Sequence, residues 1–410
     1  MRFPGPVCYG LILALAASCA CAETAPAKPA VSGRLRTLAT AAKDRSSWPA
    51  LRRFAESARS SEEKGLGFFA LGYREYESGE FESALEDLQR AAGIKFSLQD
   101  HAEYYRADAA RQADQPIEVR AALEGFTARH PQSALRLEAV KLLATVLLDA
   151  GQSNRAIEIL TAEPRVRQRT ALALLLARAH LDAGRPVAAA AAFQDVYFAH
   201  PTASEADAAR RELDQLRVRL GENYPVVPIE IQTARAEILH KRRRYSEALK
   251  EFGLLLQTNP ESPHAGRWTV GQARAMMGLR RTSQAIEILK GKFVEDPEND
   301  AERLATLVEA YRRNGDAGGV VRAAGEIADA HSASPAYASA LDAAGNFFAR
   351  EGDWSKASLY YRRLTESFPQ SELAPEASWR VAWANYLEGD FRAAREALVE
   401  HLRRYPNSSR

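Results

Sequence analysis

Cysteine is nearly missing from this chain: Cys8, Cys19 and Cys21 are its only three, all at the start of 410 residues. If that start is removed, no thiol remains. That excludes disulfide bracing, thiol catalysis and cysteine metal sites. Excess charge of one sign is missing too. The formal net charge is +2, so there is no basic footprint for nucleic acid. No strand, glycine loop and helix follow one another as a phosphate cradle requires. The eight histidines are scattered, and none forms a helical metal pair with a third ligand nearby. Carboxylates are abundant, but nothing selects two that converge, since every exposed helix face carries Glu and Asp for solubility. No catalytic residue, metal or cofactor is expected.

The first residues carry one positive charge at Arg2, an apolar run from Val7 to Ala17, and then small side chains. That run is shorter than the roughly 20 residues a membrane-spanning helix needs, and its layout is that of a secretory signal over 1–22. Ala20-Cys21-Ala22 suits cleavage before Glu23. Leu15-Ala16-Ala17-Ser18-Cys19 offers a second scheme, a lipid anchor on Cys19. Export to the periplasm is the expectation, with an outer-membrane lipoprotein as the alternative. Residues 23–33, ETAPAKPAVSG, read as a flexible lead.

The rest repeats itself. Gly389, Gly352, Gly315 and Gly278 are spaced 37 apart by subtraction, and a period in this range means stacked helical hairpins. Seven positions before such a glycine stands a small residue: Gly72, Ala144, Ala177, Gly271, Gly345 or Ala382. Five after it stands Ala84, Ala156, Ala189, Ala357 or Ala394. These are the places where two helices of a hairpin cross, and a large side chain there would hold the backbones apart. An aromatic opens the second helix at Phe81, Tyr245, Trp354 and Phe391, and Pro201, Pro369 and Pro406 stop it. The serine soon after the proline is read as the next N-cap. The register breaks between Ala189 and Ala248, across the polar helix SEADAARRELDQLRVRLG and the turn-rich ENYPVVPIE.

This pattern resembles the tetratricopeptide repeat in its small residues, in an aromatic at Phe193 and Tyr361, and in its closing proline. The resemblance implies an all-α fold, a right-handed superhelical solenoid of helix-turn-helix repeats. Residues 34–220 would form a first helical-repeat segment, 221–228 a joint, and 229–410 a second segment. The break also admits one degenerate repeat with a longer inner loop.

Three side chains are candidates for contact in the groove of such a solenoid. Arg242 and Arg243 belong to the basic run Lys241–Arg244 before Tyr245, which reads either as a solvated hairpin tip or as a contact for an anionic polymer or partner. Trp379 and Trp268 each stand ten before a hinge glycine, which assigns both to packing. Trp383 does not recur, and an exposed tryptophan suits stacking on sugar rings. Gly318-Gly319 is assigned to a degenerate turn.

Solenoids present long surfaces and usually bind. The segment FPQSELAPEASWRVAWANYLEGD, with TARAEILHKRRRYSEALKEFGLLLQ upstream, resembles the helical part of soluble lytic transglycosylases. That resemblance implies a non-catalytic scaffold that positions an enzyme on peptidoglycan. It supplies no active site: the Glu-Ser dipeptides all fall in repeat helices or turns, so activity would need a lysozyme-like domain after Arg410. YPNSSR begins another copy of the stop, and the expectation is a longer protein. The alternative is a stand-alone adaptor for envelope proteins. Partners are therefore envelope proteins, peptidoglycan, or both.

Overall fold

The structure, a computed structural model, describes residues 32–291 and 296–408. The signal, the three cysteines and residues 23–31 of the lead lie outside the described residues. The described secondary structure is helical throughout, as the repeat requires. No described helix is long and apolar enough to cross a membrane. The chain divides into two compact units, Met1–Ile159 and Leu160–Arg410.

In the first unit, α1 (Gly33–Ala41) and α2 (Trp48–Ser57) precede the hairpins α3 (Ser61–Glu77)/α4 (Phe81–Ala92) and α5 (Gln99–Gln112)/α6 (Pro116–Leu123). After the one-turn α7 (Phe126–Arg129) come α8 (Arg136–Asp149) and α9 (Ser153–Thr161), whose last two residues lie past the boundary at Ile159. Ser32 caps α1, its Oγ accepting from the Leu35 N–H at 3.3 Å, so helix begins inside the segment read as lead.

In the second unit, α10 (Thr170–Asp182)/α11 (Pro186–Ala199) is followed by a single helix, α12 (Ser204–Leu220). The described hairpins that follow are α13 (Ile229–Lys241)/α14 (Tyr245–Thr258), α15 (Ala265–Gly278)/α16 (Thr282–Leu289), α17 (Pro297–Asn314)/α18 (Ala317–His331), α19 (Pro335–Arg350)/α20 (Trp354–Ser367) and α21 (Ala374–Leu387)/α22 (Phe391–Arg404).

One residue with left-handed backbone ends each first helix: Gly79, Asp114, Gly151, Gly184, Arg243, Arg280, Gly315, Gly352 and Gly389. The N–H after it donates to the carbonyl five residues upstream, as Asp353 does to Phe348 at 2.9 Å and Arg281 to Met276 at 2.9 Å, satisfying an orphaned helix-end carbonyl. Gly278 is therefore not a hinge. It is the last residue of α15, and an added Cβ would lie 2.6 Å from the Tyr245 ring. The hinge is Arg280. A search keyed on glycine misses the three hinges where another residue accepts the left-handed conformation.

With the hinges placed, the crossing slots extend to every hairpin. Seven before the hinge stand Gly72, Ala107, Ala144, Ala177, Ala236, Ala273, Val308, Gly345 and Ala382, and five after it Ala84, Val119, Ala156, Ala189, Ala248, Ala285, Val320, Ala357 and Ala394; all are buried. Steric need is direct at Gly72, where a Cβ would sit 2.8 Å from Leu88, and at Gly345, 2.5 Å from Tyr361. Gly271 leaves this set, since Ala273 holds its slot. Gly271 instead makes room for the Phe252 ring of the preceding hairpin.

Two further expectations are corrected. Gly318 and Gly319 lie inside α18, and Gly319 is buried because the Tyr311 ring occupies the space of its Cβ; the need is for closeness, not flexibility. The serines after the stop prolines do not cap the next helix. Ser133, Ser262 and Ser371 accept from the N–H two residues on, at 3.1, 3.2 and 3.2 Å. They close a local turn one or two residues before the helix begins.

The register break contains α12, which has no second helix of its own. Gly221–Asn223 makes a short 3-10 turn, and the chain returns extended, with Gln194 Nε2 donating to the Pro225 carbonyl at 2.8 Å. The hairpins flanking α12 still meet: Tyr197 OH and Arg235 Nε both donate to Glu251 Oε1, at 3.1 and 2.9 Å.

Candidate functional site

The first helices of the second unit line a groove. Its larger part encloses about 630 Å³ between α13, α15, α17, α19 and α21, and a neighbouring part of about 320 Å³ shares His240, Arg274 and Glu302 with it. The lining residues recur at fixed distances before the hinge, at thirteen, ten, nine, six and three. In α17 these are Glu302, Ala305, Thr306, Glu309 and Arg312. A helix returns to one face at such spacings, so the hairpin register itself builds the wall.

Arginine–carboxylate pairs dominate the chemistry. Some cross from one hairpin to the next: Arg267 NH2 lies 2.6 Å from Glu237 Oε1, Arg274 pairs with Glu302, and Arg380 NH1 lies 3.6 Å from Asp342 Oδ1. Others stay within a helix. Arg312 Nε and Arg313 Nε each lie 2.6 Å from Glu309. At the α19–α21 end, Asn346 links the pairs. Its Nδ2 donates to Asp342 at 2.8 Å, and its Oδ1 accepts from Tyr361 OH at 2.8 Å and from Arg380.

Burial pushes Asp342 above the ordinary carboxylate range, against the pull of Arg380. Burial acts on Glu309 in the same sense, yet hydrogen bonds from Arg312 and Arg313 hold it below that range. Burial, then the Arg274 charge, lowers His240, which keeps its imidazole neutral near pH 7. On the groove floor, Thr306 is 4% exposed and its hydroxyl has no hydrogen-bond partner. The array offers recognition: alternating charges along a channel. Among the described residues, no three His, Cys, Asp or Glu side chains gather as a metal group.

In the last hairpin Trp383 stands six before Gly389, in the register slot that Glu309 and Asn346 fill elsewhere, but only Arg380 of α21 lines the cavity. Trp383 is 46% exposed and stacked between Trp379 and Tyr386, at centroid distances of 5.7 and 5.5 Å and interplanar angles of 9° and 18°. Trp268 and Trp379 do not share a slot, because the true hinge after Trp268 is Arg280. Trp268 is fully buried and donates to Thr233 Oγ1 at 2.8 Å, whereas Trp379 stands on the groove side. Arg242 and Arg243 are exposed at the tip of the α13–α14 hairpin, and Arg243 is itself a left-handed hinge.

The same slots in the first unit carry rings: Phe69, Tyr73, Tyr76, Tyr104 and Tyr105. Tyr73 and Tyr105 meet edge to face at 4.9 Å, and Tyr76 OH donates to Asp108. Burial and Asp108 push the Tyr76 hydroxyl up. Sequence reading named neither this cluster nor Thr306, Asp342 and Asn346. The signal for all of them was the slot spacing counted back from the hinge, which is glycine for all but Tyr104 and Tyr105, whose hinge is Asp114.

Geometry and register together define the class: a tetratricopeptide-like helical-repeat protein. Residues 331–410, which hold the last two hairpins, match a family model described as "YfiO: Outer membrane lipoprotein". No curated protein matches the chain. Among solved structures it is similar to MamA protein, at 17% identity over 43% of this chain and 92% of that one, with a TM-score of 0.35. It is also similar to Naa15/Naa10 bound to HypK-THB, at 15% identity over 92% of this chain and 64% of that one, TM-score 0.33. A third is a tetratricopeptide repeat protein from Parabacteroides merdae ATCC 43184, at 13% identity over 68% and 98%, TM-score 0.32.

Proposed function

We propose that the chain is an exported envelope scaffold whose second-unit groove holds an extended segment of a partner protein. The observation that carries this reading is a channel walled across successive hairpins by paired charges. An extended peptide supplies backbone donors and acceptors at intervals suited to such a wall. The match of residues 331–410 to an outer-membrane lipoprotein family supports the envelope, either in the periplasm or anchored at Cys19. Affinity capture from envelope extract tests it. Wild-type chain should retain a discrete set of proteins that Arg380→Glu, which breaks the Asp342–Asn346 network, loses. Equal capture by both would refute the groove. Labelling with a radioactive fatty acid, compared between wild type and Cys19→Ser, tests the anchor.

A second reading makes the chain the helical, non-catalytic part of a peptidoglycan lytic transglycosylase. The run from Pro369 to Asp390 favours it, as does the half-exposed Trp383. Co-sedimentation with purified peptidoglycan, lost in Trp383→Ala, would support this reading, and its absence in wild type would remove it. Arg242 and Arg243 are proposed as the anionic contact under either reading.

A further inference from the structure

We propose that the tips of the α13–α14 and α15–α16 hairpins form a cationic rim that docks on a membrane surface of anionic phospholipid headgroups. Lys241, Arg242 and Arg243 stand on the first tip and Arg280 and Arg281 on the second, all of them exposed. The tips adjoin: the Tyr245 ring packs where a Cβ on Gly278 would lie, two residues before Arg280. None of these five side chains has a carboxylate partner among the described residues, although charge over the whole chain is nearly balanced. Arg244 beside them is engaged, its NH2 2.6 Å from Glu247 Oε1, and the arginines of the groove are paired too. Like charges crowded on neighbouring turns repel one another. Two of them carry a second cost. Arg243 and Arg280 are hinges, at φ of +60° and +62°, a conformation that glycine takes at six other hinges without steric penalty. An arginine held where glycine folds more easily points to a use for its charge.

Shape selects the ligand. The groove beside the rim is lined by His240, Tyr245, Arg274 and Gly278, and by none of the five cations. A small anion needs enclosure, and a ridge gives none. A protein interface needs an apolar centre, yet among the described residues no large apolar side chain is exposed at either tip. The partner that fits is one that meets a ridge with many anions in one plane, as a phospholipid surface does. All but Lys241 are arginine, whose fork takes two phosphate oxygens at once. The inference rests on the anionic contact assigned to Arg242 and Arg243, to which it gives a site and a ligand, and not on the groove.

Flotation of the full chain with vesicles of phosphatidylcholine containing about 30% phosphatidylglycerol tests it. The chain should bind these, ignore vesicles of phosphatidylcholine alone, and lose affinity about tenfold as salt rises from about 0.05 to about 0.5 M. Arg243→Gly combined with Arg280→Gly should weaken binding about tenfold while the fold becomes no less stable, because glycine suits both hinges. Adding Arg242→Gln and Arg281→Gln should abolish binding. Lys250→Gln with Arg322→Gln removes as much charge from exposed positions on second helices and should change nothing. No binding to the anionic vesicles, equal binding to both kinds, or equal loss in the two charge-matched pairs would overturn the proposal. So would retention on purified peptidoglycan that the glycine pair abolishes while vesicles stay unbound; that result keeps the anionic contact and removes the lipid. No residue changed lines the groove, so none of these outcomes bears on it.

Discussion

The Arg235 guanidinium lies 3.5 Å from the centre of the Tyr197 ring, joining hairpins whose hinges are separated by the unpaired helix α12. It also donates to the Tyr197 carbonyl and to Glu251, and Arg235 is 6% exposed. Arg235→Met should destabilise the second unit by about 3 kcal/mol, since Glu251 is left without its cation. Urea unfolding followed by near-ultraviolet circular dichroism measures this, and a loss below about 0.5 kcal/mol would show that α12 alone holds the junction.

Arg243 and Arg280 adopt the left-handed backbone that glycine takes at six of the other hinges. Arg280→Gly should stabilise the chain by about 1 kcal/mol, and Gly352→Ala should destabilise it by a similar amount. Matched denaturation curves decide between this opposition and a common sign.

Tyr361 fills the space a Cβ on Gly345 would need. Gly345→Ala should cost about 1–3 kcal/mol despite its better helix propensity. A stabilised variant would mean that α19 and α20 separate freely at this crossing.

The first unit carries a pH dependence. Glu75 and Asp87 are buried and share Arg52, at 2.9 and 2.6 Å; Arg90 reaches Asp87 at 3.3 Å. Burial, then the Asp87 charge, raises Glu75 from 4.5 to about 7. The folded pKa exceeds the unfolded one, so this group's stabilisation is complete below about pH 4.5 and is lost as pH rises to 7. Wild type should gain stability from pH 8 to pH 5 relative to Glu75→Gln. Parallel slopes in denaturant melts at the two pH values would contradict the assignment.

The hairpin architecture was legible in the sequence because small residues at the crossings answer a steric need repeated in most copies, valine replacing them at Val119, Val308 and Val320. The groove was less legible, because its slots count from a backbone conformation and not from a residue type. Where Arg280 accepted that conformation, a glycine ruler set on Gly278 shifted the frame by two, which merged Trp268 with Trp379; Thr306, Asp342 and Asn346 were missed because their slots vary in residue type from hairpin to hairpin. Trp383 was singled out because it did not recur, and the structure shows it half exposed and stacked between Trp379 and Tyr386.

The groove is tested most directly by photocrosslinking from Ser339, a lining position on α19, in the native envelope, with exposed Glu326 on α18 as the comparison. The account predicts a discrete protein adduct from position 339 that is lost with Arg380→Glu and absent from position 326. Equal labelling from both positions, or none from 339, would contradict it.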